Sequence, residues 1–263
     1  MNIYLTSLSA IVGRDLLRFL NQKGRLISAL VRPLVWLFVF AAGFRAALGL
    51  SISPPYETYI KYEDYIVPGL CGMILLFNGM QSSLALVYDR EMGSMRILLI
   101  SPLPRWWLLF CKIIASTFVS MLQVYIFLVI AYFYGIKFDA IGYVMVAPAL
   151  LLGGLMLGGL GLVLSSLIKQ LENFAGVMNF VIFPMFFLSS ALYPLWKMAE
   201  SSELLYMVCT INPFTYVVEL VRFSLFVKLE LYSAIIVLTC SIMFLFVAIW
   251  GYDPQKKFIL RKT

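Results

Sequence analysis

Glu219 and Arg222 are the residues whose types and spacing most directly suggest chemistry. A carboxylate and a guanidinium three positions apart share one face of a helix and can form an ion pair. They lie in the stretch INPFTYVVELVRFSLF at residues 211–226. Asn212 can cap a helix that begins there, and Pro213 suits its first turn. The stretch therefore predicts a short helix that carries a charge pair within an apolar surrounding.

The residues that support most enzyme chemistry are missing or scattered. The sequence has no histidine, which is the commonest general base and metal ligand. Where cysteines lie in or beside apolar runs without a CxxC pair, they act as small buried apolar side chains. We therefore expect no metal site and no catalytic residue, which disfavours a metalloenzyme or a Ser-His-Asp hydrolase. The four cysteines are Cys71, Cys111, Cys209 and Cys240; none forms a CxxC pair, and Cys71, Cys111 and Cys240 lie in or at the ends of apolar runs.

A charged segment, YDREMGSMRILLISPLPR at residues 88–105, separates two long apolar runs. Tyr88, Met92, Met95 and Leu99 recur at helical spacing and form one stripe. The prolines that follow end the helix, because a residue before proline resists the α conformation. The pattern predicts a helix at about 88–100. A methionine and leucine stripe rimmed by charge is typical of docking into a groove; the alternative is a positively charged loop that only sets topology.

The composition indicates an integral membrane protein. Hydrophobic residues make up 62% of the chain and charged residues 13%, whereas soluble domains have about 25% charged residues. The net charge of +7 then reflects membrane topology rather than nucleic-acid binding. Because about 20 apolar residues cross a bilayer as a helix, the apolar runs predict six transmembrane helices at about 26–48, 65–88, 107–134, 142–168, 173–194 and 231–252.

Six spans place both termini on one side of the membrane. That side carries fourteen of the 20 Lys and Arg residues and the other side carries six, so the positive-inside rule assigns both termini to the cytoplasm. Arg32 and Arg45 fall inside the first span, and we expect their long side chains to reach the headgroups at opposite faces. The segment at about 195–230 is expected to re-enter the membrane from the outer side as a gate, or to rest on the outer leaflet.

Two further patterns concern packing at the membrane. Gly154 and Gly158 form a GxxxG motif inside the fourth span, where a nucleotide-binding turn cannot form because it needs a preceding strand. We interpret these glycines as a site of close helix packing. In residues 1–24 an apolar face repeats at helical spacing, which predicts an amphipathic helix on the cytoplasmic leaflet. The members of this face are Leu5, Leu8, Val12, Leu16 and Phe19.

The segment at 88–105 is similar to the cytoplasmic signature of permease subunits of ABC-type-2 exporters. The matching residues are Asp89, Arg90, Glu91, Gly93, Ser94, Leu98, Leu99, Ser101, Pro102, Leu103, Pro104 and Arg105. The 211–226 stretch resembles the outer motif of the same family at Asn212, Pro213, Tyr216, Glu219 and Arg222. The expected spans and the N-terminal helix also fit. The resemblance therefore covers essentially the whole chain as one domain, at residues 1–263.

The resemblance implies that the helix at 88–100 is a coupling helix in a cleft of a separate ATPase subunit. It also implies that the matching residues of the 211–226 stretch shape an outer gate. No G-x-x-x-x-G-K-[ST] motif occurs in the sequence, so ATP and magnesium are expected on the partner. Two permeases, as a homodimer or with a paralogue, are expected to work with two ATPases. The implied coupling residues are Asp89, Arg90, Glu91, Met92, Gly93, Met95, Arg96, Leu98, Leu99, Pro102 and Arg105.

The expected function is therefore transport. The resemblance implies an all-α permease in the inner membrane of a bacterium, which moves an amphiphilic, lipid-like or glycan-type substrate outward. The alternative is an ion-coupled secondary transporter, or another multispan protein without an ATPase partner. Ion coupling usually needs acidic residues inside spans, and five of the apolar runs carry no charge, which disfavours an ion-coupled transporter. A membrane enzyme acting on lipid is disfavoured by the absence of histidine and of paired intramembrane carboxylates.

Overall fold

Helices dominate the part of the chain that the structure describes. The structure is a computed structural model and describes residues 3–44, 61–91, 103–168 and 170–251. No strand occurs within those ranges, so the predicted all-helical architecture is confirmed there. The helices are α1 (Ile3–Asn21), α2 (Lys23–Phe44), α3 (Tyr62–Glu91), α4 (Arg105–Tyr134), α5 (Ala140–Leu167), α6 (Leu171–Phe187), α7 (Leu195–Ser201), α8 (Glu203–Ile211), α9 (Pro213–Leu225) and α10 (Leu231–Gly251).

Four of the described helices are long and apolar enough to cross a membrane. They overlap the spans expected at 65–88, 107–134, 142–168 and 231–252. In lipid a helix satisfies all of its own backbone hydrogen bonds, so several such helices identify an integral membrane protein. The apolar helices lie at Tyr62–Tyr88, Trp106–Tyr134, Ala140–Leu167 and Leu231–Gly251.

The first and fifth expected spans contain shorter apolar helices. In α2 the apolar part is Ala29–Val39. The α6 helix has 17 residues and is roughly 25 Å long at about 1.5 Å per residue, whereas a hydrocarbon core is about 30 Å thick. Beyond Phe187 the chain turns through 188–194 instead of continuing as a helix to 194. The count of six spans therefore stays a prediction.

The segment expected to re-enter the membrane contains three short helices, α7, α8 and α9. Together α8 and α9 are apolar enough for one span, but they meet at an angle of 78°. The bend lies at Asn212, which is the residue between the two helices. A pair bent in this way is either a broken span or a re-entrant segment, and with it the described residues hold up to five spans.

The α5 helix lies at the centre of the bundle and packs against α3, α4, α9 and α10. Its backbone approaches theirs so closely that side chains do not fit. A methyl group on Gly142 would lie 2.2 Å from a backbone oxygen of α9. Methyl groups on Gly154 and Gly158 would lie 2.5 Å and 2.9 Å from Thr117 and Ile113 of α4. Both glycines of the GxxxG motif therefore lie at the contact between α4 and α5.

The α1 helix packs along α4. Trp107 of α4 donates its Nε1 hydrogen to Ser7 Oγ at 3.0 Å, and its ring lies edge-on to the ring of Tyr4, with centroids 5.4 Å apart. On the predicted apolar face Phe19 is buried, whereas Leu5 is exposed. The amphipathic helix thus contacts the bundle through part of its apolar face, and its position on the cytoplasmic leaflet stays a prediction.

Gly142→Ala is expected to lower the free energy of unfolding by about 1–3 kcal/mol, the usual cost of overpacking. The added methyl group would force the end of α9 away from α5. Thermal unfolding of the purified protein in detergent measures this loss as a lower melting temperature. Gly13→Ala is the matched control, because a methyl group there meets no described atom within 4 Å and alanine favours a helix over glycine. Equal melting temperatures for the two variants would contradict the close contact at Gly142.

Candidate functional site

Arg222 of α9 is a buried charge held by contacts from three parts of the chain. The residue is 2% exposed. Its Nη1 donates to Glu219 Oε1, and its Nη2 donates to the backbone oxygen of Ser190 at 2.7 Å. The guanidinium carbon lies 4.1 Å from the ring centroid of Tyr65. A charge that leaves water is costly unless it is paired and hydrogen-bonded, and an aromatic face stabilises a cation further. Arg222 therefore joins α9 to α3 and to the turn after α6.

The turn at 188–194 accepts hydrogen bonds from two tyrosines at the beginning of α3. Tyr65 donates its hydroxyl hydrogen to the backbone oxygen of Ser190 at 2.9 Å, so that oxygen accepts from Tyr65 and Arg222 together. Tyr62 donates to the backbone oxygen of Leu192, also at 2.9 Å. A backbone carbonyl away from water must find a donor. The side chains of α3 and α9 therefore stabilise a non-helical turn inside an apolar bundle.

Asn212 explains how the chain bends between α8 and α9. Its Oδ1 accepts from the backbone N–H of Phe214 at 3.0 Å, which caps the beginning of α9, and Pro213 is the first residue of that helix. Its Nδ2 donates to the backbone oxygens of Met185 and Leu188, at 2.7 and 2.6 Å. Carbonyls at a helix end need such partners. One amide group therefore stabilises the beginning of α9 and the end of α6.

Arg222 and its contacts Glu219, Tyr65 and Ser190 are called the Arg222 cluster below. A cavity of about 440 Å³ lies beside it. Of the residues predicted for an outer gate, Tyr216, Glu219 and Arg222 line the cavity, while Asn212 and Pro213 form the bend. The structure thus brings all five together, but their action as a gate stays a prediction. The wall also includes aromatic and acidic side chains, among them Trp196, Tyr206, Glu230 and Tyr232.

The residues predicted to contact an ATPase belong to the opposite end of α3. Tyr65 and Tyr88 are roughly 35 Å apart along that helix, at about 1.5 Å per residue, so the Arg222 cluster and the end of α3 at Tyr88–Glu91 lie at opposite ends of that helix. The structure describes only the backbone of four of these residues, at the end of α3 and the beginning of α4; they are Asp89, Arg90, Glu91 and Arg105. Outside the described residues lie Met92, Gly93, Met95, Arg96, Leu98, Leu99 and Pro102.

A larger cavity, of about 1020 Å³, lies among α1, α2, α3 and α4. Nothing in the sequence patterns indicates this cavity. Arg32, which the sequence leads us to expect among the headgroups, lines it, and its guanidinium carbon lies 3.8 Å from the ring centroid of Phe77. The one signal in the sequence was the arginine itself, since a charged residue inside a long apolar run often marks a function.

The cysteines are free thiols, and Cys71, Cys111 and Cys209 are buried. Burial among apolar side chains is the packing role expected from the sequence. Within residues 3–44, 61–91, 103–168 and 170–251, no three His, Cys, Asp or Glu residues are grouped so that they could hold a metal ion.

A family model described as ABC-2 type transporter matches residues 6–226 of the chain. This chain belongs to the ABC-2 type transporter family. The matched range begins in α1 and ends just after α9, and it includes both motifs that carry the resemblance, so the resemblance is confirmed. The family consists of membrane transport subunits that are not themselves catalytic and that work in general with an ABC ATPase.

Several relatives of this ABC-2 permease are named as transport proteins. A protein of Cyanophora paradoxa named as a transport permease, ycf38, is 28% identical over 224 residues, which cover 84% of this chain and 74% of the relative. Its namesake from Porphyra purpurea is 25% identical over 224 residues, which cover 83% of this chain and 74% of the relative. YbhR of Escherichia coli (strain K12), named as a multidrug ABC transporter permease, is 31% identical over 163 residues, which cover 61% of this chain and 44% of the relative.

Arg222→Gln is expected to destabilise the protein by about 3 kcal/mol, the lower end of the cost of breaking a buried ion pair. Glu219 would keep its charge without the guanidinium, and the Ser190 oxygen would lose a donor. Glu219→Gln should cost less, because Arg222 keeps its contacts with Ser190 and Tyr65. Melting temperatures in detergent measure both effects. Lys61→Gln is the control, because it removes a positive charge from an exposed residue next to α3 and should change stability by less than about 0.5 kcal/mol. A loss of stability in Lys61→Gln as large as that in Arg222→Gln would contradict a specific role for the contacts of Arg222.

Proposed function

We propose that this chain is the permease subunit of an ATP-driven exporter that moves an amphiphilic, lipid-like or glycan-type substrate outward. The observation that carries the proposal is the family match over residues 6–226, which takes in both ends of the helix bundle. Relatives named as a transport permease and as a multidrug ABC transporter permease support transport as the activity.

In this proposal the energy for transport comes from a separate ABC ATPase that binds ATP and magnesium. The sequence contains no P-loop motif, whereas the 88–105 segment offers a helix for docking. In the helix that the sequence spacing predicts there, Met92, Met95 and Leu99 would form an apolar ridge. The predicted helix lies between α3 and α4 in the sequence, and these two helices pack against each other and against α5. Closure of two ATPases beneath two permeases would push on the ridge and, through it, on the centre of each bundle.

The second permease is another copy of this chain or a paralogue. Large apolar side chains remain exposed on α6 and α10, with Phe180 79% and Phe246 71% exposed. Lipid or a second permease would cover such surfaces. A path between two permeases would then suit an amphiphile, because one side of the path is protein and the other is open to the bilayer.

The charge distribution supports an orientation with both termini in the cytoplasm, and the family resemblance favours the inner membrane of a bacterium. Fourteen of the 20 Lys and Arg residues lie on the side assigned to the cytoplasm, as the positive-inside rule requires. In this orientation the Arg222 cluster lies at the outer end of the bundle, and the 88–105 segment faces the ATPase.

Isolation of the complex tests the proposal directly. The tagged full-length chain should co-purify with a P-loop ATPase encoded beside it, and the reconstituted complex should transport substrate only while ATP is hydrolysed. A chain that never co-purifies with an ATPase, and whose transport no ATPase alters, would overturn the proposal. Transport driven by a proton or sodium gradient without ATP would favour an ion-coupled transporter instead.

Met95→Asp is expected to lower ATP-dependent transport by roughly tenfold or more, because a carboxylate would enter an apolar cleft of the ATPase without a partner. Transport into proteoliposomes and co-purification of the ATPase measure the effect. Ser94→Asp is the matched control, since it adds the same charge to the same segment but lies off the Met92, Met95 and Leu99 stripe. Normal transport by Met95→Asp, or an equal loss in Ser94→Asp, would remove Met95 from the interface.

Glu219→Gln is expected to change the transport rate while co-purification of the ATPase stays normal, because the change lies at the opposite end of the bundle from the docking helix. Glu203→Gln removes the same charge from an exposed residue at the beginning of α8 and should transport as the unmodified protein does. Unchanged transport by Glu219→Gln would favour a helix that merely rests on the outer leaflet over an outer gate.

A further inference from the structure

Positive charge is concentrated around the cavity of about 1020 Å³ that lies among α1, α2, α3 and α4. Among the residues whose side chains the structure describes, the wall contains four basic residues and one acidic residue, Asp15. Asp15 accepts a hydrogen bond from Nε of Arg14 at 3.1 Å, so part of one positive charge is balanced locally. The basic residues are Arg14, Arg18, Arg32 and Lys112.

Among the residues whose side chains the structure describes, which leaves out Asp89 and Glu91, no acidic side chain forms an ion pair with Arg18 or Arg32. Both are exposed, so their guanidinium groups are open to a ligand in the cavity. The ring of Phe77 lies 3.8 Å from the guanidinium carbon of Arg32; it positions and stabilises the cation but does not neutralise it. A cation inside a span that lacks a counter-charge is by default a functional group.

The wall of the cavity combines basic side chains with apolar side chains along α3. The wall runs from Tyr88 to Met73, which is roughly 22 Å at about 1.5 Å per residue. Lys112, in the first turns of α4, belongs to the end near Tyr88. The inner part is formed by Met73 and Ile74 of α3, and Arg32 reaches the level of Phe77. Neutral hydrogen-bonding side chains lie between the two ends; they are Asn78, Gln81, Ser82, Ser116 and Gln123.

We infer that this cavity binds the anionic headgroup of an amphiphile, with its phosphate or carboxylate on the arginines and its apolar tail along the inner part of α3. Arginine binds both anions through paired charge-assisted hydrogen bonds. Basic pockets between membrane helices on the cytoplasmic side suit anionic lipid headgroups. The volume is at the upper end of the range of about 300–1,000 Å³ that small-molecule sites occupy, which leaves room for part of a tail.

This inference deepens the proposed function by naming the charge class of the ligand at the cytoplasmic end. It rests on the proposed function only for the question of whether the bound ligand is then transported. A bound lipid of this kind is either the cargo on its way outward or a resident lipid of the cytoplasmic leaflet that occupies the bundle. The chemistry of recognition is the same in both cases, so binding and transport are measured separately.

Binding is measured on the full-length protein in detergent, with fluorescently labelled phosphatidylglycerol and phosphatidylcholine that carry the same acyl chains. We expect phosphatidylglycerol to bind about tenfold more tightly or better, as hydrogen bonds to charged groups allow. Arg32→Gln and Arg18→Gln should each remove much of this preference, and Arg32→Lys should keep more of it than Arg32→Gln. Equal affinity of the unmodified protein for the two lipids, or an unchanged preference in both glutamine variants, would overturn the inference.

Lys137→Gln is the control for net charge. Lys137 lies beside Tyr132, with Nζ 5.3 Å from the ring centroid, at the end of α4 away from the cavity. This variant should keep the full preference for phosphatidylglycerol; a loss equal to that of Arg32→Gln would show that net charge alone attracts the lipid and would overturn the site. Unchanged affinity for phosphatidylcholine and an unchanged melting temperature establish that each variant has folded.

The second arm uses the complex with its ATPase in proteoliposomes. Movement of labelled phosphatidylglycerol between leaflets that needs ATP and is lost in Arg32→Gln identifies the anionic lipid as cargo, whereas specific binding without movement identifies a resident lipid. If the preference is present but no ATPase supports transport, the proposed function fails and the cavity inference stands. If ATP-driven transport is intact but the preference is absent, the cavity inference fails alone.

Discussion

The closeness of helix backbones around α5 is the constraint on which the rest of the bundle depends. Lipid tails are as apolar as leucine side chains, so moving an apolar side chain from lipid into a helix contact gains little free energy. Helices in lipid therefore associate through tight packing and small residues. Glycines lie on several sides of α5, with Gly142 toward α9, Gly154 toward α4 and Gly159 toward α10. Four helices can therefore contact one. Among them α3 links the two candidate regions, since its beginning holds the Arg222 cluster and its second half forms a wall of the larger cavity.

Two arginines in this bundle show how surroundings set the role of a charge at membrane depth. Arg222 is 2% exposed and has a carboxylate, a carbonyl and an aromatic ring around it, so its charge is used to hold the fold. Arg32 is exposed to a large cavity and has an aromatic ring as its described contact. Because charges within apolar surroundings pair with opposite charges, Arg222 already has its partner in Glu219, whereas the anionic ligand that we propose would supply one to Arg32.

The end of the bundle that holds the Arg222 cluster contains irregular backbone, which is tolerated at membrane depth only where protein covers it or a cavity adjoins it. Asn212 bonds the end of α6 to the beginning of α9, and Ser190 accepts from Tyr65 and Arg222. These bonds connect the turn after α6, the bend before α9 and the beginning of α3. Any movement of this end during transport must therefore exchange several hydrogen bonds together, which favours two discrete arrangements over a gradual one.

Composition and the lengths of apolar runs by themselves determined the class of the protein, because a chain with 62% hydrophobic residues has too few polar side chains to form a soluble surface. The motif at 88–105 determined the family, and the three-residue spacing of Glu219 and Arg222 was enough to predict their pairing, because neighbours on one helix are set by local geometry. Hydropathy could not locate the end of α6 at Phe187, since the turn that follows is stabilised by side chains from α3 and α9. Only the tertiary structure decided that Arg222 is buried among its partners and that Arg32 is exposed to the larger cavity, because those surroundings are made by helices that lie far apart in the sequence.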